Sequence, residues 1–331
     1  MRCHHAGHEN RATHLSGSGQ SRSLEGERIM RDAVIVVAGA TGDLGGRITR
    51  ALRERRARVT ALVRPGATRA KIEPLEALGA TITRIDLSSP AEAAAACAQA
   101  SCVVSALAGL RDVIVDAQTV LLDGAVQAGV PRFIPSDYAI DFTKLPSGRN
   151  RNLDLRREFH ERLARAPISA TTIFNGAFSD MLATGQMPII LLKLRRVLSW
   201  GSAEQRMDFT TKDDTAAFTA MAALDPRTPR FLRVAGDQLS ARELAAVVGE
   251  VTGERFRLLR PGGLGMLGLI IKIARRVAPG ERALYPVWQG MQYMRDMLDG
   301  RANLDPLDND RYPAIHWTSV RDVLRRHLGR L

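Results

Sequence analysis

The first strong signal in the chain is Ala33–Ala38 (AVIVVA), six apolar residues with no polar interruption. A strand with one wet face alternates apolar and polar. An unbroken apolar run of this length belongs to a central parallel strand covered on both faces. After a glycine-rich turn, Leu44, Ile48, Ala51 and Leu52 fall at helical spacing, with Arg47, Arg50, Arg53 and Glu54 on the other side. The alternation then repeats. Arg58–Val63 reads as a second strand, Ala80–Ile85 as a third, Ser101–Ala106 as a fourth, Arg132–Ile134 as a fifth and Ser169–Phe174 as a sixth. Between them, Ser89-Pro90 opens an alanine-rich helix with favoured cap and first-turn residues. Further helices are expected over 111–127, ending at Gly129, and over 152–166. Strands alternating with helices at this length predict an α/β fold with a doubly wound parallel sheet.

Past Gly176 the rhythm loosens. Lys193–Trp200 is basic and apolar, Asp213–Leu224 helical, and Arg230–Val234 a late strand. Ser240-Ala-Arg-Glu243 has the form of a capping box for a helix running to Thr252. Gly262–Ile271 is the longest apolar stretch, too short to span a membrane and followed by Lys272, Arg275 and Arg276; it reads as a partly buried amphipathic helix. The segment from Tyr285 to Tyr312, rich in Met, aromatics and Asp, suits a substrate-side lobe or an oligomer contact. The expected organisation is a disordered extension over 1–29, a nucleotide-binding core over 30–175 and a small C-terminal lobe over 176–331.

Composition narrows the function classes. The formal charge of +12 invites a nucleic-acid reading, but only five of the 47 basic residues are lysine, and they are scattered along the chain. No helix-turn-helix, zinc-finger or aromatic-plus-basic motif accompanies them. Cys3, Cys97 and Cys102 have neither metal-ligand nor disulfide spacing. His4, His5, His8 and His14 sit in a tail without apolar periodicity, so no metal site is assigned to them. With no secretion signal visible, free thiols in the cytoplasm are expected.

The chemistry begins at Gly39-Ala-Thr-Gly42-Asp-Leu-Gly45, glycines at GxxGxxG spacing between strand and helix. Gly39 allows a tight turn, Gly42 a close backbone approach to a pyrophosphate, and Gly45 close packing of the helix on the strand. The helix N-terminus then faces the phosphates. The second strand ends at Arg64, with Arg69 and Lys71 behind it. A fold selecting NAD places an acid there for the ribose hydroxyls, whereas an arginine suits a 2′-phosphate, so NADP(H) is expected.

GATGDLGG, ALVR, VVSALAG, RFIPSDYAIDF and ATTIFNGAF together resemble the NmrA-like and isoflavone-reductase-like branch of atypical short-chain dehydrogenases, over roughly 30–325. The resemblance implies an NADP(H)-binding Rossmann domain with a small C-terminal substrate lobe. Its members are reductases of small, often aromatic, molecules, or non-catalytic redox sensors. By that likeness Gly39, Thr41, Gly42, Asp43, Leu44 and Gly45 form the phosphate loop, and Arg64 meets the 2′-phosphate. Ser105 and Ala106 lie beside the adenosine ribose, Ser136 beside the nicotinamide, and Asn175-Gly176 opens the turn over the nicotinamide face.

One position departs from the pattern. Reductases of this branch keep a proton-donating lysine where this chain has Arg156, beside Arg157. A guanidinium orients a substrate but does not give up a proton near neutral pH. The Tyr-x-x-x-Lys pair of ordinary short-chain dehydrogenases is also missing, since Phe142 follows Tyr138 by four. Tyr138, Lys144 and His160 are the substitutes, against plain readings as packed aromatic, loop charge and helix-surface residue. The reading is an NADPH-dependent reductase of a small carbonyl, quinone or enone with Arg156 holding the substrate, or else an NADP(H) sensor. The expected partners are a small-molecule substrate and either a protein partner or a second copy, with no nucleic acid and no membrane.

Overall fold

The computed structural model describes residues 33–328. The expected tail, with its histidines and Cys3, lies outside them. Six parallel strands form the central sheet: β1 (Val34–Ala38), β2 (Arg58–Val63), β3 (Thr81–Arg84), β4 (Cys102–Ser105), β5 (Arg132–Ile134) and β6 (Ser169–Ala170). Their order, β3-β2-β1-β4-β5-β6, places the switch between the two windings at β1 and β4. Ile35, Val36, Val37 and Ala38 are fully buried, as the unbroken apolar run demands of a strand covered on both sides. The crossover helices are α1 (Asp43–Glu54), α2 (Arg69–Ala77), α3 (Pro90–Cys97), α4 (Gln118–Gln127) and α5 (Arg151–Leu163). Ser89 caps α3 and Asn150 caps α5, each accepting from a backbone amide of the first turn.

Two expectations change. The helix expected over 111–127 starts as a π-helical segment, Asp112–Ala117, and becomes α-helical only at Gln118. The strand expected over Ser169–Phe174 divides at Thr171. β6 pairs with β5, but Thr172–Phe174 (β7) leaves the sheet to pair with Phe231–Arg233 (β12). β5 is followed by Pro135, which has no amide hydrogen with which to extend the ladder. The chain therefore takes up a new neighbour.

The later elements are short strands and helices: β8 (Ala177–Phe178), α6 (Asp180–Ala183), β9 (Ile190–Leu191), β10 (Arg196–Leu198), β11 (Arg206–Thr210), α7 (Lys212–Leu224), β13 (Asp237–Ser240), α8 (Ala241–Thr252), β14 (Arg257–Leu259), α9 (Leu264–Val277), α10 (Val287–Leu298) and α11 (Val320–Leu328). The capping box at Ser240 and Glu243 forms as expected. α9 is the expected partly buried helix: Leu267 and Ile271 face inward, while Met266, Leu269, Ile273 and Val277 face out. This half is not separate from the sheet. α7 lies along α1, and Phe218, Leu232, Val234, Tyr312 and Ile315 complete the core beneath β1 and β4.

Arg132 locks the two halves together. It is 7% exposed on β5, and its guanidinium donates to the carbonyls of Ala222 (2.6 Å) and Ala223 (3.0 Å) in the last turn of α7, and to Thr228. Arg132→Met keeps the volume but strands those acceptors, so urea denaturation should show a loss of about 2–3 kcal/mol. An unchanged midpoint would show that the lock contributes nothing.

Candidate functional site

The glycine loop is fixed by backbone touching backbone. Gly39 sits at φ +79°, and a β-carbon there would lie 2.5 Å from the Ala106 carbonyl oxygen on the neighbouring strand end. A β-carbon on Gly45 would stand 2.1 Å from the Gly39 oxygen. Gly42 is different: it is the N-cap of α1 in an extended conformation, its amide donates to Gly39 O (2.9 Å), and its absent β-carbon would meet only that oxygen, at 3.2 Å. Two glycines are thus needed by the fold, and the third leaves open backbone at a helix N-terminus, a cradle for an anionic group. Asp43 faces away into ion pairs with Arg47 (2.7 Å) and Lys212 (2.6 Å). Partial burial pushes its carboxyl up, but those two cations outweigh it and hold the group below its ordinary value.

A cleft opens at the carboxyl ends of the strands, where the winding switches. It consists of two adjoining hollows of about 520 and 420 Å³ that share Thr41, Arg64, Lys71 and Asp86. The first is bounded by the Arg64–Thr68 loop. The second runs past Gly39 and Gly42 to Leu87, Ala106, Leu107 and the π-helical residues Asp112, Val113 and Ala117. Arg84 steadies the loop by donating to the Pro65 carbonyl (2.8 Å). Arg64 and Lys71 are both exposed at this rim, so two cations flank the cleft beside the glycine loop.

Behind Leu107, outside the cleft lining, lies a polar network. Ser136, following β5, donates from Oγ to the Leu107 carbonyl (2.6 Å) and from its amide to Gln118 Oε1 (3.0 Å). Gln118 is in turn tied by its Nε2 to Ile114 O within the π-helical turn (2.9 Å). Arg156 reaches across from α5: Nε donates to Ser136 O (3.1 Å) and Nη1 to Asn152 O (3.0 Å). Asn175 is fully buried with both side-chain amide atoms unpartnered, and the Ser105 hydroxyl is buried and unpartnered as well. Buried polar atoms normally find partners. Gly176 (φ +66°) brings the Asn175 turn so close to β11 that a β-carbon would sit 2.2 Å from Asp208 O.

The structure brings Gly39, Thr41, Gly42, Arg64 and Ala106 into the cleft lining, with Ser136 joined to it through Leu107. It does not bring Tyr138 or Lys144 there. Tyr138 is buried in the core beside Thr219 and Cys102, where burial pushes its phenol far above the ordinary range. Its apolar ring is needed under β4, and that outweighs any pull toward the cleft. Lys144 donates to Asn303 O (2.8 Å) and ties down a surface turn. His160 is no surface residue: its Nε2 lies 2.5 Å from the Asp137 carboxylate, with Thr172 donating to the same oxygen (3.0 Å) and Arg230 to Thr172 (2.7 Å). Burial acts to raise the Asp137 carboxyl, but His160 and Arg156 more than offset it. Sequence reasoning missed Asp86 and Leu87, which line the cleft after β3; their place at the carboxyl end of a strand was the available signal. Gln118 and Asp137 gave none.

A model of the NmrA-like family matches residues 31–260. The chain is similar to pinoresinol reductase 1 of Arabidopsis thaliana, 26% identical over 327 residues, covering 94% of this chain and 100% of that protein. Among solved structures it resembles AtPrR2 with NADP+ and (+)-pinoresinol (TM-score 0.74, 21% identity, 89% of this chain and 99% of that one). It also resembles the NADPH-dependent quinone oxidoreductase QOR2 of Escherichia coli (TM-score 0.68, 18% identity, 89% and 99%). At these identities the structural likeness shows the Rossmann-like fold.

The three glycines separate in a simple experiment. Gly42→Val should fold with nearly wild-type stability yet lose dinucleotide binding by calorimetry, because its side chain enters the cradle. Gly45→Ala should lower the melting temperature. Unchanged affinity in Gly42→Val would remove the phosphate-loop assignment.

Proposed function

The chain belongs to the NmrA-like family, and on that premise we propose that it is an NADPH-dependent reductase of a small carbonyl, quinone or enone. The observation that carries this reading is the continuous cleft. It runs from two cations beside a glycine loop, past Ala106 and Leu107, to Asp112, Val113 and Ala117. Pinoresinol reductase 1 and QOR2 support the substrate class by their names. NADPH bound there supplies a hydride.

The protein's own residues do the rest. The amides around Gly42 and the N-terminus of α1 take the pyrophosphate. Arg64, with Lys71, takes the 2′-phosphate; Ser105 and Ala106 stand beside the ribose. Ser136 and the Asn175-Gly176 turn hold the nicotinamide end, where the unpartnered Asn175 amide has donor and acceptor to offer. Arg156 orients an electron-rich substrate oxygen and stabilises charge developing on it. The second reading, a redox sensor that binds the dinucleotide without turnover, is favoured by one observation: the Arg156 guanidinium already serves two backbone carbonyls.

NADPH should bind at least about tenfold more tightly than NADH, one charge-assisted phosphate contact being worth roughly 1.5–3 kcal/mol, and Arg64→Ala should narrow the gap. Equal affinities would reduce Arg64 to a loop charge. Oxidation of NADPH against quinones, carbonyls and aromatic enones should reveal turnover. Arg156→Ala should then weaken substrate binding, whereas Arg156→Lys should keep or raise the rate. A silent panel, with tight binding selective for one redox state, would establish the sensor.

A further inference from the structure

The second hollow of the cleft owes one wall to a local irregularity. Residues Asp112–Ala117 wind as a π-helix, and three of them, Asp112, Val113 and Ala117, line the hollow. Such turns are uncommon in helices and often mark functional sites. This one has a particular weakness. At its junction with α4 the backbone amides bond to the carbonyls of Val113, Val115 and Asp116, and the Ile114 carbonyl among them is passed over. Ile114 is 1% exposed, so its oxygen has little access to water and needs a partner within the protein.

Gln118 supplies that partner. It is fully buried; Nε2 donates to Ile114 O (2.9 Å) and Oε1 accepts from the Ser136 amide (3.0 Å). A carboxamide carries donor and acceptor side by side, so one side chain answers both backbone groups. Ser136 then donates from Oγ to Leu107 O (2.6 Å), and Leu107 lines the same hollow. The connecting loop is tight: a β-carbon on Gly109 would lie 2.4 Å from Val113 Cβ. One buried side chain therefore braces the strand-end wall at Ala106–Ala108 against the helical wall at Val113 and Ala117. Between those walls Leu62, Ile85 and Leu87 make the hollow largely apolar, and Arg64 and Lys71 stand at its mouth. An apolar slot with cations at its entrance suits a planar base carried on a phosphorylated ribose.

Resting on the dinucleotide part of the proposed function and not on turnover, we infer that Gln118 is a positioning residue for the adenosine end of the cofactor. It touches no ligand itself. By taking the Ile114 carbonyl it holds the turn in its π register, and that register sets Val113 and Ala117 against the base. In an α register the backbone amide of Gln118 would close on Ile114 O, and the side chain would lose its acceptor. The residues before it would then turn about the helix axis by about 100° per residue of slip. Val113 would leave the wall, and the slot would lose its fit to the base.

The test uses Gln118→Met, which keeps the length of the side chain and offers neither donor nor acceptor. The probe is adenosine 2′,5′-bisphosphate, the adenosine end of the cofactor alone, titrated by calorimetry well below the melting transition. The variant should melt earlier, and it should bind the probe at least about tenfold more weakly than wild type. NADP+ should weaken by the same factor, while the ratio of NADPH to NADH affinity stays as in wild type, since both carry the same base. Gly109→Ala reaches Val113 directly, leaves both Gln118 bonds in place, and should weaken the probe as well; it decides the matter should Gln118→Met not fold. Equal probe binding by wild type and Gln118→Met, whatever the melting temperature, would make Gln118 a core residue only and overturn the inference. So would a loss seen with NADP+ but not with the probe, or an unaltered affinity in Gly109→Ala. A wild type that binds neither probe nor NADP+ would remove the dinucleotide reading itself, and the role of Gln118 with it.

Discussion

The whole sheet-forming half depends on a place where the chain has no room for a β-carbon. The Gly39 carbonyl occupies the position that a side chain at residue 45 would need, and the Ala106 carbonyl occupies the one that residue 39 would need. These contacts set how close α1 stands to β1 and how close the end of β4 stands to the loop. That spacing opens the cleft at the point where the sheet changes winding direction. A conformation that glycine alone adopts cheaply therefore fixes a tertiary distance, and the distance creates the site.

Much of this was legible in the sequence, because local order leaves a local trace. The apolar run of β1, the glycine spacing and the Ser240 capping box each fit within a dozen residues and have one physical solution. The misread parts are those whose cause lies elsewhere in the chain. The exit of β7 from the sheet depends on β12, some sixty residues later. The π-helical turn depends on Gln118 reaching both Ile114 and Ser136. His160 looked like a helix-surface residue because no periodicity announces a carboxylate 23 positions away.

The arginine excess also acquires a physical meaning. Many guanidinium groups are committed to backbone carbonyls that loops and helix ends leave open. Arg53 reaches Leu78 and Ala57, Arg157 reaches Phe142 and Leu145, and Arg151 reaches Glu281, Ala283 and Leu284. A planar fork with five donors can bridge several carbonyls at once, which a lysine ammonium does less well. The positive charge is in good part a by-product of tying irregular segments down.

The ion pairs around Asp43 carry a consequence for how such a protein could be divided. Asp43 opens the helix whose N-terminus faces the glycine-loop cradle, so its charge opposes an anionic ligand there. Lys212 offsets that charge, and Asp213 beside it engages Arg47. Both partners come from α7, well beyond the strands that form the sheet. The electrostatic character of the glycine-loop cradle is thus completed by the second half of the chain. Cut out at the end of the sheet, the first half would present a bare carboxylate and an exposed apolar face where α7 had lain. Modularity in this fold is topological rather than energetic: the sheet-forming half can be drawn as a unit, but it cannot be transplanted as one.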